Sequence, residues 1–97
     1  MTDEPLLWRF RVEASRTVGQ AAREIRLPRK QDEIGADGLI SQPLLSRVEN
    51  GRQALTLEMV MRLAVALGCR PSDLLRGLDE AYDNVMASAQ VTAGGAA

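Results

Sequence analysis

Histidine is absent from the chain, and Cys69 is its single cysteine. No disulfide can close within one chain, and no Cys/His cluster is available for a structural zinc. A general base of the usual kind is missing, and no glycine-rich phosphate loop appears. No enzyme, metal or cofactor is therefore expected. A lone thiol suits a reducing compartment, and a cytoplasmic location is expected. No apolar run approaches the length of a membrane span, and the opening MTDEPLLWRF is acidic where a signal peptide would be basic. Aromatic residues make up only 3%, as Trp8, Phe10 and Tyr82, so a sheet built on aromatic and β-branched pairs is disfavoured against helices rich in Ala and Leu.

What is present fits one small domain. A chain of 97 residues buries a modest core and often leans on a second subunit. The net charge is −1, but it is unevenly spread. Residues 77–97 hold Asp79, Glu80 and Asp83 and no base, which leaves all 12 basic residues in the first 76. Arg23, Arg26, Arg29 and Lys30 cluster there with only Glu24 against them. A local basic surface of this kind suits nucleic acid despite the neutral total.

Residues 1–16 read as an N-terminal extension with two open readings. Trp8, Phe10 and Val12 alternate with Arg9, Arg11 and Glu13, the pattern of a strand that could serve as a dimer arm; Leu7, Phe10, Ala14, Val18, Ala21 and Ile25 instead follow a helical period. Thr17 and Gln20 fit a capping box, so a helix is expected to start at 17–18 and run to Arg26, before Pro28. A second helix is expected over 31–37, with Asp32 and Glu33 in its first turn and Gly38 after it. Ser41 should cap a third helix over 41–50 that ends at Gly51. Thr56 opens and Gly68 closes the clearest helical text, and Pro71 begins a short helix over 71–75. Leu78, Tyr82, Val85, Met86 and Ala89 mark a C-terminal helix over 77–90, and 91–97 reads as a disordered tail.

Two short helices joined by a tight turn, with apolar residues on both sides, have the form of a helix-turn-helix. The exposed face of the second would carry Gln42, Pro43, Ser46, Arg47 and Asn50. Glutamine can pair with adenine and arginine with guanine, while serine and asparagine can hold phosphates. The start of helix two, with Gln31, presents free N–H groups to a phosphate.

At residues 31–75 the sequence resembles the Cro/repressor-like, XRE-type helix-turn-helix family. The resemblance rests on Gln31, Ile34, Gly35, Ser41, the run Leu45-Ser46-Arg47-Val48-Glu49 followed by Gly51, and Leu63, Ala64, Leu67 and Gly68. Residues 18–26 look like the family's first helix. The resemblance implies an all-α, compact four- or five-helix lambda-repressor-like domain over 17–76, with the N-terminal strand left open. It implies that Gln42, Pro43, Leu44 and Arg47 face base edges of double-stranded DNA, and that Gln31, Ser46, Asn50, Arg52 and Lys30 lie along the backbone. Glu49 would pair with an arginine of helix one, Arg26 first and Arg23 second. Gly38-Leu39 stands where the family usually has Leu-Gly, so either Leu39 turns inward or the turn shifts.

The expected function is sequence-specific regulation of transcription, with a repressor on an inverted-repeat operator as the simplest form. The alternative is a protein-interaction module on the same fold, an antitoxin or antiactivator partner, and a regulatory protein partner is an open expectation. A homodimer is expected, with Trp8, Phe10, Leu78, Tyr82, Val85 and Met86 as its contact residues.

Overall fold

In the computed structural model, which describes residues 3–92, helices carry the architecture and no strand occurs among the described residues. The expected all-α domain is present. Helix α1 spans Asp3–Arg26, α2 Gln31–Ile34, α3 Gln42–Glu49, α4 Leu57–Leu67, α5 Pro71–Leu75 and α6 Leu78–Thr92.

Neither the strand reading of residues 7–12 nor a fresh helix start at Thr17 survives. Residues 3–26 form one unbroken helix of 24 residues, about 36 Å long at 1.5 Å per residue. The helical period wins because α6 supplies a surface for it. Phe10 stacks on Tyr82 with ring centroids 5.9 Å apart, and Val85 is buried in the same seam. Thr17 caps nothing; it lies half-buried mid-helix with its methyl group against Gly77. Gln20 donates to Glu24 one turn on, at 3.2 Å. Pairing Phe10 with Tyr82, Thr17 with Gly77 and Glu24 with Arg76 runs α1 and α6 antiparallel. The expected boundary between residues 16 and 17 therefore falls inside one helix. Helix α6 extends to Thr92, two residues into the stretch read as a tail, and 93–97 lie outside the described residues.

The second half of α1 packs on α3. The two meet at Gly19, where an added Cβ would sit 2.1 Å from the carbonyl oxygen of Val48. A glycine in mid-helix costs about 1 kcal/mol against alanine. Here it lets two backbones touch. Around this crossing the core gathers Val18 and Ala22 from α1, Ile34, Ile40, Leu45 and Val48 from the helix-turn-helix, and Val60, Leu63, Leu67 and Leu74 from α4 and α5.

Caps follow the sequence closely at α3 and α4. The Ser41 hydroxyl accepts from the Leu44 N–H at 3.3 Å, and the Thr56 hydroxyl from the Met59 N–H at 3.1 Å. Gly68 closes α4. Helix two is shorter than expected: α2 has four residues and tightens into a 3-10 turn over Gly35–Asp37. Gly38 follows at φ 83°, a left-handed conformation that glycine adopts without penalty, and turns the chain toward α3. The Gly38-Leu39 inversion is resolved by shifting the anchor: Ile40 is fully buried, while Leu39 is half-buried and its carbonyl accepts from the Arg62 guanidinium at 3.3 Å.

Candidate nucleic-acid interface

Helix α3 divides cleanly into two faces. Leu45 and Val48 point into the core. Gln42, Pro43, Arg47 and Asn50 are exposed, and Ser46 is half-exposed among them. This grouping follows from 3.6 residues per turn, once Leu45 and Val48 are fixed inward. Leu44 stands apart from the other expected base-facing residues: it is half-buried and packs against the core.

Several of these side chains are held in place from within the chain. The Arg47 Nε donates to the Gln53 side-chain oxygen at 3.1 Å. Asn50 Nδ2 donates to the Ser46 carbonyl at 2.9 Å, folding its amide back over the helix end. Gly51 takes φ 69° just after, with its N–H on the Val48 carbonyl at 3.0 Å, and so ends α3 sharply. Arg52 is exposed beyond that stop.

Behind the face lies a buried ion pair. Arg26 Nε meets Glu49 Oε2 at 2.6 Å and its Nη2 meets Oε1 at 2.9 Å, a two-pronged contact between α1 and α3. The side chains are only 10% and 4% exposed. Gln31 Nε2 adds a third donor to Glu49, at 3.0 Å, and the remaining Arg26 nitrogen donates to the Arg29 carbonyl. The guanidinium pKa is raised, chiefly by its hydrogen bond to Glu49, against the opposing effect of burial. One carboxylate thus ties together the end of α1, the start of α2 and the end of α3. Such a pair fixes geometry more surely than it adds net stability.

The basic cluster separates into different roles. Arg26 is inside. Arg29 spends its guanidinium on main-chain carbonyls, donating to Leu67 at 3.0 Å and Ile25 at 3.2 Å. Lys30 has an exposed side chain, and its backbone N–H donates to the Glu33 carboxylate at 2.8 Å. Arg23 is exposed, and its guanidinium has no ion-pair or hydrogen-bond partner among the described residues. Gln31 is committed to Glu49 by one amide N–H, which leaves the other for an outside acceptor. The Arg47 brace by Gln53 was not foreseen: the two sit six residues apart across a helix end, where no periodic signal links them.

The residues expected to form a dimer contact are drawn together on α1 and α6, but not all are available to a second copy. Val85 is 1% exposed in the single chain, and Phe10, Leu78 and Met86 are half-buried. Val85 belongs to the internal α1–α6 seam, which corrects its assignment to an outer surface. Trp8 and Tyr82, at 64% and 55%, remain open.

No group of His, Cys, Asp or Glu among the described residues could hold a metal ion, and none of the described helices is long and apolar enough to cross a membrane. Two short helices around a left-handed glycine, with a polar second helix held proud of the core, define a helix-turn-helix domain, a class with the capability to bind DNA. A helix-turn-helix family model matches residues 20–74, more than half of the chain, and the protein belongs to the XRE-type helix-turn-helix family. No curated protein and no solved structure matches it.

Proposed function

We propose that the protein is a sequence-specific DNA-binding regulator of transcription, acting as a repressor that occupies an inverted-repeat operator as a homodimer. The supporting observation is the outward set Gln42, Pro43, Ser46, Arg47 and Asn50 on a helix whose angle is fixed by the Arg26–Glu49–Gln31 contact. In this reading α3 enters the major groove, with Gln42, Pro43 and Arg47 toward base edges. Ser46, Asn50, Arg52, Lys30 and the free N–H of Gln31 follow the phosphates. Leu44, half-buried, reaches at most a thymine methyl from the rim of the helix.

One such module reads only a few base pairs. Two copies about a two-fold axis would place their recognition helices about 34 Å apart, one turn of the duplex. The exposed Leu7, Trp8 and Tyr82 on the α1–α6 pair are the surface offered to the second copy. Selection from a pool of randomised duplexes should enrich an inverted repeat. Sedimentation at micromolar concentration should give about twice the 10.6 kDa chain mass. Arg47→Ala should weaken the selected site by about 1–3 kcal/mol while leaving random duplex nearly unchanged. Arg52→Ala should instead weaken both alike. Equal losses for Arg47→Ala on both duplexes would make it a phosphate contact.

A specific observation also favours the second reading, a protein-interaction module. Leu57, Met61 and Val65 recur every four residues on α4 and are 78%, 61% and 67% exposed. A chain that selects no duplex would leave this stripe as the working surface.

A further inference from the structure

An open groove of about 470 Å³ runs between α1 and the end of α3. One wall is Glu49, Asn50 and Gly51; the other is the α1 row Arg16, Gln20 and Arg23. The spacing of four and three residues puts that row on one stripe of the helix, next to the Gly19 and Arg26 positions that touch α3. Gly51 binds the two walls closely: a Cβ there would lie 3.2 Å from Arg16 Cγ. The groove therefore opens beside Asn50, at the end of the exposed α3 face.

Its charge is positive where it is unspent. Glu49 is consumed by Arg26 and Gln31. Glu24 also lines the groove; it is in an exposed pair with Arg76 at 3.6 Å and accepts from Gln20, so one acid stands against the two arginines Arg16 and Arg23. Arg16 has only a loose exposed pair with Glu13 at 3.4 Å, and the Arg23 guanidinium has no partner among the described residues. An exposed pair of this kind is worth little and exchanges readily for a stronger anion.

We infer that Arg16 and Arg23 extend the DNA contact from α3 onto α1, holding the phosphate backbone where it leaves Asn50 and Arg52. This rests on the DNA-binding reading above. The ligand is the phosphodiester chain itself, recognised by charge and without regard to base. The DNA strand passes along the groove, so each half-site is gripped beyond the base pairs that α3 reads.

The test is the salt dependence of binding by the full chain. Each lost phosphate contact lowers the slope of log affinity against log salt by about 0.9, so the double variant Arg16→Ala/Arg23→Ala should lower it by about 1.8 for each half-site, about 3.6 for a two-fold dimer. The preference for a selected duplex over a random one should stay unchanged. A charge-matched control, Arg9→Ala/Arg11→Ala, removes two arginines from the far half of α1 and should leave the slope as it is. Arg16→Lys/Arg23→Lys should restore the slope, because a phosphate needs only a point charge there. All six substitutions in these variants lie at exposed or half-exposed side chains, and circular dichroism checks that each variant folds. An unchanged slope in the alanine double, or an equal drop in the control, overturns the inference while leaving the DNA-binding reading intact. A wild-type chain with no salt-dependent binding to any duplex overturns both.

Discussion

The two halves of α1 live in different surroundings. From Val18 to Arg26 the helix is clamped: Gly19 touches the α3 backbone, Ala22 is fully buried, and Arg26 is locked to Glu49. From Leu7 to Ala14 it packs on α6 through the Phe10–Tyr82 stack and leaves Leu7 and Trp8 each 64% exposed. The C-terminal half fixes the angle of α3 through close backbone approach and directed hydrogen bonds. The N-terminal half is held by ordinary side-chain packing along a two-helix seam. A displacement in the C-terminal half is felt at α3, and one in the N-terminal half is felt mainly at the exposed Leu7 and Trp8.

Breaking the clamp should have the largest effect. Glu49→Ala would leave Arg26 charged and buried without its partner and should destabilise the chain by about 3–5 kcal/mol in a denaturant titration. A change below 1 kcal/mol would mean that water replaces the Glu49 carboxylate at Arg26 without loss, and the contrast between the two halves would weaken. The raised pKa of Arg26 makes no difference across ordinary pH. A raised cationic group stabilises the fold below its unfolded pKa and loses that contribution only as pH climbs past its folded value, which for arginine is strong alkali. Stability from this pair should therefore be flat between pH 6 and 9, a range well below arginine's ordinary value.

Gly19→Ala should follow in size. The new methyl meets a backbone carbonyl rather than a flexible side chain, so α1 and α3 must part. Overpacking of this sort costs about 1–3 kcal/mol, despite alanine's better helix propensity. Specific DNA binding should fall by more than stability alone predicts, because the angle of α3 changes. A variant of raised stability would show that the crossing can open without strain.

In the other half, Val85→Ala removes buried methyl groups from the seam and should cost about 1.5–3 kcal/mol at most. Truncation at Arg76 would remove this seam entirely, so it tests folding and association together; point changes keep them apart. Trp8→Ser is the smallest expected effect on the single chain. An exposed side chain away from caps and core usually shifts stability by less than about 0.5 kcal/mol. Its signature should be in sedimentation, as a shift toward the single-chain mass at an unchanged melting temperature. A stable association after Trp8→Ser and Tyr82→Ser together would move the dimer contact to the Leu57–Met61–Val65 stripe of α4.

Much of the helix-turn-helix could be read directly. Ser41, Thr56 and Gly68 act locally, within a turn of the residues that name them, and each cap stands where its residue type placed it. The inward positions of α3 and α4 follow the same logic, since a 3.6 period around Leu45 or Leu63 needs no knowledge of the rest of the fold. The N-terminal third was harder to read for the same reason in reverse. Trp8, Phe10 and Val12 alternate as well as they recur, and Thr17 with Gln20 fits a helix start. Both patterns were decided by partners far along the chain, Tyr82 and Gly77. Gln53 beneath Arg47 and Arg29 on the Leu67 carbonyl likewise carry no local mark.

By itself, then, the sequence determined that α3, α4 and α5 coil, where α3 starts and stops, and which of its side chains apart from Leu44 face out. Those outcomes depend on interactions within a few residues, where spacing fixes geometry. Only the tertiary structure decided that residues 3–26 are one helix, that Gly19 is a contact point, and that Arg16 and Arg23 share a groove with Asn50. These depend on which distant backbone approaches, and the energy that selects it comes from burial between elements rather than from any element alone.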